Sequence, residues 1–132
     1  MSLRADITMF THLLRALTLR KVINSLFIRI GHFLRLKNIT TMPESLSVEP
    51  ASICNLHCPQ CVLGMGGLRR PKQLMSAAMF ELIMAECEKW IVNCQFFLQG
   101  EPTLNPDLCR MIGLAHSRKI YTSMSTNGQL LK

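Results

Sequence analysis

Nowhere does the chain offer the roughly 20 consecutive apolar residues that a membrane-crossing helix needs, because Lys and Arg recur every few residues through its N-terminal part. Its start also lacks the charged head, apolar middle and small-residue cleavage site of a secretory signal. A cytoplasmic location is the expectation. Acidic residues are scarce at one end: residues 1–40 hold seven Lys/Arg against Asp6 alone, whereas residues 41–132 hold eight against seven. The net charge of +7 therefore belongs to one segment, which argues against a nucleic-acid-binding role for the whole protein. Disorder is excluded as well, since 48% of the 132 residues are hydrophobic, enough to bury the core of one modest domain.

The six cysteines lack the even spread of a secreted disulfide framework. Cys54, Cys58 and Cys61 crowd into eight residues, the pattern of a metal site in a reducing compartment. Cys87, Cys94 and Cys109 have no partner at ligand spacing and read as small core residues.

Two segments differ in pattern. Residues 1–42 form a basic amphipathic helical segment, with helix expected over 3–36, broken near Arg20 and again near Gly31. Its apolar stripe, from Phe10 and Leu13 through Ile23, Phe27 and Ile30, has two readings. It lies in a membrane interface, or it packs against the body of the fold and covers an open end. From residue 43 onward strands and helices alternate. Strands are expected at Ser45–Glu49, Gln95–Leu98 and Ile120–Ser125. Helices are expected from the Ser76 cap to about Trp90 and from Pro106 and Asp107 to about Ser117. Such alternation points to βαβ units and a parallel sheet. In these folds ligands gather at the carboxyl ends of the strands. Three polar stretches fall there: the cysteine loop, Gln99-Gly100-Glu101-Pro102, and Ser125-Thr126-Asn127-Gly128.

Soft thiolate ligands suit iron in sulfide-bridged clusters. A four-iron cluster held by three cysteines leaves one iron open to a small molecule. With the spacing C-x3-C-x2-C directly after a first strand, the chain resembles the radical S-adenosylmethionine (radical SAM) superfamily. SLSVEPASICNLHCPQC and FFLQGEPTLNPDL resemble most the subgroup whose members often carry a C-terminal SPASM extension. The resemblance covers residues 45–131. It implies an α/β fold, the N-terminal half of a partial (β/α)6 TIM-like barrel preceded by the basic helical segment, and hence a truncated portion (43–132) of a longer enzyme.

The resemblance also implies a [4Fe-4S] cluster on Cys54, Cys58 and Cys61, and S-adenosyl-L-methionine chelated at the open iron. An electron from the cluster then cleaves the sulfonium to give a 5′-deoxyadenosyl radical for hydrogen abstraction. Gln99, Gly100, Glu101 and Pro102 are similar to the family's Gly-Gly-Glu-Pro turn, which meets the cofactor's ammonium, with Gln99 in place of the usual glycine. Ser125, Thr126 and Asn127 are similar to a strand ending that faces cofactor or substrate. Gln60 occupies the position beside the adenine where the family often has an aromatic residue. No residue stands out as catalytic in its own right. Implied partners are a peptide, protein or small-molecule substrate and an electron donor such as ferredoxin or flavodoxin, with no nucleic acid and with peripheral membrane contact through residues 1–40. The alternative is a non-catalytic zinc or iron–sulfur binding module.

Two weaker features complete the reading. Gly64-Met65-Gly66-Gly67 lacks the Lys-Ser/Thr ending of a phosphate loop and reads as a flexible loop over the cysteines. Arg69, Arg70 and Lys72 are either solvated charges or contacts for an anionic substrate.

Overall fold

The computed structural model describes residues 11, 14–38 and 40–131. Three short strands, β1 (Ser45–Val48), β2 (Asn93–Phe96) and β3 (Tyr121–Met124), run parallel in the order β1-β2-β3. Successive side chains of a strand point to opposite faces of the sheet. Val48, Cys94 and Phe96 are buried on one face, and Ser47, Gln95 and Ser123 form one register row on the other. There the Ser47 hydroxyl donates to Gln95 Oε1 at 3.0 Å.

Two helices cover the apolar face, α2 (Ala77–Cys87) after β1 and α3 (Leu108–Ser117) after β2. Phe80 and Met84 of α2 and Met111 and Ala115 of α3 are wholly buried against the strands. The Phe80 and Phe96 rings lie 5.3 Å apart at 45°, a favourable tilted pair. Ser76 caps α2 by accepting from Met79 N–H at 3.2 Å, as expected. Asp107 precedes α3 but does not cap it. Its carboxylate accepts instead from Ala77 N–H at 2.9 Å, so one loop closes the start of both helices.

Several boundaries move. β2 begins and ends two residues before the expected Gln95–Leu98, because Val92 and Asn93 N–H already bond to the Glu44 carbonyl at 2.8 and 3.3 Å. The apolar Phe97 and Leu98 lie beyond the strand and are exposed. α2 stops at Cys87 rather than near Trp90. Of the cysteines expected in the core, Cys94 is fully buried and its thiol is pushed up to about 12 by that burial. Cys87 is half-buried, and Cys109, on the outer side of α3, is exposed.

The basic segment forms α1 (Leu19–Phe33). Most of the helix expected over residues 3–13 lies outside the described residues, including Phe10, His12 and Leu13. Residues 14–16 are helical, and the break expected near Arg20 falls at residues 17–18. There extended Thr18 caps α1 through Lys21 N–H. No break occurs at Gly31, which is buried inside the helix. The helix ends where Arg35 takes a left-handed φ of 52°, and Arg35 and Leu36 N–H bond back to His32 and Gly31 at 3.1 and 2.9 Å.

α1 crosses the amino ends of the strands, and polar groups hold it there. Lys21, only 1% exposed, donates to the Lys119 carbonyl at 2.7 Å, bracing a residue whose own φ is 54°. Burial holds its ammonium below the usual lysine range, against the pull of Glu88. Asn24 brackets Met42, donating to its carbonyl at 2.7 Å and accepting from its N–H at 3.1 Å. The packed side is therefore Lys21, Asn24 and Gly31, and the apolar stripe faces outward: Leu19, Ile23, Phe27 and Ile30 are 41–78% exposed. This corrects the expectation that the stripe itself covers the end of the fold. Among the described residues no helix is long and apolar enough to cross a membrane.

Candidate functional site

The carboxyl ends of the strands form a rim opposite α1, and the cysteine loop leaves from β1. Its neck is tied by backbone. Ala51 bridges Leu74 in antiparallel fashion, Ser52 N–H donates to Gln73 O at 2.9 Å, and Met75 N–H donates to Pro50 O at 2.8 Å. The Ser52 hydroxyl accepts from Gln73 N–H at 2.7 Å and lies 3.0 Å from Pro71 O. Within the loop, Cys61 N–H donates to Cys58 O at 3.1 Å and Met65 N–H to Cys61 O at 2.9 Å. The glycine stretch is thus a run of turns folded onto the cysteines rather than a loose cover. A Cβ on Gly64 would stand 2.6 Å from Cys58 O, so only glycine permits that fold-back.

The turn after β2 is held from two sides. Glu49 Oε1 accepts from Gln99 N–H at 3.1 Å and Gly100 N–H at 3.3 Å, and it pairs with Arg70 at 2.5 Å. Arg70 is therefore a structural partner of this turn. Glu101 N–H donates to Ile53 O at 2.8 Å, fastening the turn to the cysteine loop. Gly100 lies against that loop so closely that a Cβ would fall 1.8 Å from Ala51 O. Gln99, in place of glycine, brings no backbone strain: among the described residues Arg35 and Lys119 are the non-glycine positions with positive φ.

Glu101 organises the rim. It is 3% exposed, yet its carboxylate accepts from Thr103 N–H (3.1 Å), Thr103 Oγ1 (2.5 Å), Thr126 Oγ1 (2.6 Å) and Asn127 N–H (2.7 Å). Burial opposes ionisation, but the bonds from Asn127, Thr103 and Thr126 outweigh it and hold the carboxyl below its ordinary value. Asn127 then reaches the cysteine loop: its Nδ2 donates to Asn55 Oδ1 at 2.8 Å and lies 3.9 Å from Cys54 Sγ. Leu56 N–H also points at that sulfur, at 3.4 Å.

The structure thus brings together Cys54, Gly100, Glu101, Thr126 and Asn127. Pro102 is buried and opens a short 3-10 turn, Pro102–Leu104, so its contribution is to shape the turn. Gln60, Gln99 and Ser125 are exposed. Sequence reasoning missed Glu49, which braces the Gln99–Gly100 turn, and Asn105. Buried Asn105 donates to Pro50 O at 2.6 Å and Met75 O at 2.8 Å, joining the post-β2 turn to the loop neck. The Asn-Pro-Asp run signals only the local bond, Asp107 N–H to Asn105 Oδ1 at 2.8 Å, and not the two long-range ones.

The donor set fits an iron–sulfur cluster. Cys54, Cys58 and Cys61 are free and lie on one loop, and the Leu56 N–H and Asn127 Nδ2 approach Cys54 Sγ. Among the described residues no three Cys, His, Asp or Glu side chains converge on a single point to hold one metal ion. Three thiolates on one loop would suit a sulfide-bridged iron cluster rather than a single ion. Glu101, next to Gly100, gives the rim a buried carboxylate held in its charged form.

Comparison with known proteins bears on the family and the fold. The family model described as the radical SAM superfamily matches residues 48–132. The PqqA peptide cyclase of Gluconobacter oxydans (strain 621H) is 29% identical over 67% of this chain and 25% of its own length. The mycofactocin maturase MftC of Mycobacterium ulcerans (strain Agy99) is 34% identical over 65% of this chain and 23% of its own. The chain therefore spans about a quarter of the length of these relatives. The solved structure of BtrN in complex with AdoMet and 2-DOIA covers 70% of this chain and 39% of that one, with a TM-score of 0.63 and 23% identity, a likeness of fold.

Proposed function

The chain belongs to the radical SAM superfamily, and from that premise we propose that residues 43–132 form the cluster-holding part of a hydrogen-abstracting enzyme. Membership brings a [4Fe-4S] cluster and S-adenosylmethionine as cofactors. When bound, they supply a 5′-deoxyadenosyl radical by reductive cleavage of the sulfonium. Cys54, Cys58 and Cys61 hold the cluster. Gly100 lets the β2 turn approach the loop, and Glu101 keeps that turn negative for the cofactor's ammonium. Thr126 and Asn127 close the rim from β3, while Gln60 and Ser125 line its exposed side.

The observation that carries this reading is Glu101, whose carboxylate gathers the ends of β2 and β3 while its own N–H is fastened to the cysteine loop. The substrate is a peptide or a polar small molecule. Two of the relatives bear the names of a peptide cyclase and a maturase, and the Ser47, Gln95 and Ser123 row offers hydrogen-bonding groups on the open face of the sheet. The electron donor is of the ferredoxin or flavodoxin kind. Anaerobic reconstitution with iron and sulfide is expected to give a four-iron spectrum that shifts when S-adenosylmethionine is added. Tight stoichiometric zinc with no such shift would sink the reading.

A cytoplasmic chain resting on an anionic membrane surface is part of the same proposal. The outward stripe of α1 is apolar, and exposed Arg20, Arg29 and Arg35 lie beside it, a complement to anionic lipid headgroups. Vesicles containing phosphatidylglycerol should bind the chain at low salt and release it at high salt, and Phe27→Asp should abolish binding. Equal recovery with and without vesicles at low salt removes the membrane from the proposal.

A further inference from the structure

Asn127 is held so tightly that its amide has one orientation. Its backbone N–H is fixed by Glu101 Oε2 at 2.7 Å. Its Oδ1 accepts from Gln129 N–H at 3.0 Å, which turns Nδ2 toward the cysteine loop. There Nδ2 donates to Asn55 Oδ1 at 2.8 Å and lies 3.9 Å from Cys54 Sγ. An amide nitrogen carries two N–H donors, enough for both contacts.

Hydrogen bonds to a ligating sulfur withdraw electron density and favour the more electron-rich state of an iron–sulfur cluster. We infer that Asn127 is a positioning residue that raises the reduction potential of the cluster through an N–H···S contact to Cys54. This rests on the cluster assignment proposed above. Its effect is to ease transfer of one electron from a ferredoxin- or flavodoxin-class donor to the cluster. The anchor is stiff: Glu101 is buried and bonded to Thr103 and Thr126 as well. The amide is thus fixed relative to the sulfur by the fold itself.

The test is an electron-paramagnetic-resonance redox titration of the reconstituted chain and three variants. Asn127→Asp keeps the shape and removes the donor; Asn127→Leu removes the polarity altogether. Both should titrate at a more negative potential than the parent at equal iron and sulfide content. Asn55→Ala, which removes the companion bond but leaves the N–H···S contact, should titrate close to the parent. Parental potentials in both Asn127 variants overturn the inference. So does an equal shift in Asn55→Ala, which would trace the effect to loop placement, and so does loss of the cluster from both Asn127 variants, which would make the residue a structural support. A parent chain that takes up no four-iron cluster fails the cluster assignment itself, which is a separate result.

Discussion

Gly100→Ala is expected to destabilise the fold by about 3 kcal/mol or more and to abolish cluster uptake by the chain that does fold. The added Cβ would stand 1.8 Å from Ala51 O and 2.8 Å from Ile53 O, and both obstacles are backbone. Neither has room to move. Ala51 is bridged to Leu74, and the Ile53 carbonyl accepts from Glu101 N–H at 2.8 Å. Relief must come by separating the β2 turn from the cysteine loop, which dismantles the site. Gly113→Ala is the control: a Cβ there meets nothing within 4 Å, and in the middle of α3 alanine is favoured by about 0.5–1 kcal/mol. Urea midpoints and iron per chain read both outcomes. A Gly100→Ala protein with parental midpoint and iron content would refute the close-approach account.

Glu101→Gln is expected to cost about 2–3 kcal/mol at neutral pH, the scale of a lost charge-assisted bond plus a buried donor left unmet. The amide retains one acceptor oxygen, whereas four donors from Thr103, Thr126 and Asn127 converge on the native carboxylate. The pH dependence gives a second reading. The folded carboxyl is held below its ordinary value, so the unfolded chain takes up the proton more readily. The stability it contributes is complete above the ordinary carboxylate range and is lost as pH falls through the depressed value. Denaturation midpoints measured from neutral pH into acid should therefore fall more steeply for the native chain than for Glu101→Gln. Parallel curves would show that Glu101 does not carry the rim.

Much of this site is local in sequence and was legible there. Cysteine spacing is set by the short reach of one loop, and the turn residues after each strand follow backbone preferences that need no distant partner. Strand and helix alternation placed those turns on one rim. What escaped was long-range. Glu101 is legible as the acid of the β2 turn, but its bonds from Thr126 and Asn127, 25 and 26 residues later, are not. Asp107 reads as a cap for its own helix, yet it serves the helix 30 residues earlier. In α1 the apolar pattern announced amphipathicity correctly but misled about direction, because buried Lys21 and Asn24 find backbone carbonyl and N–H partners at 2.7–3.1 Å. Satisfied polar groups can turn inward, and hydrophobicity alone does not register that option. The β2 register slipped for a related reason: Phe97 and Leu98 look like strand, but the ladder is fixed upstream at Glu44.

The closure at Ser52 and Gln73 bears on the order of maturation. None of the bonds that join residues 50–52 to 71–75 involves a cysteine. Zinc-finger peptides, by contrast, spend metal affinity on folding themselves. Here the loop's ends are brought together by peptide groups, so the entropy of ring closure is met by the polypeptide. What iron and sulfide meet is the span between those ends, residues 53–70, with its turns already formed. Assembly can follow folding, with the apoprotein serving as a scaffold onto which the inorganic core is transferred.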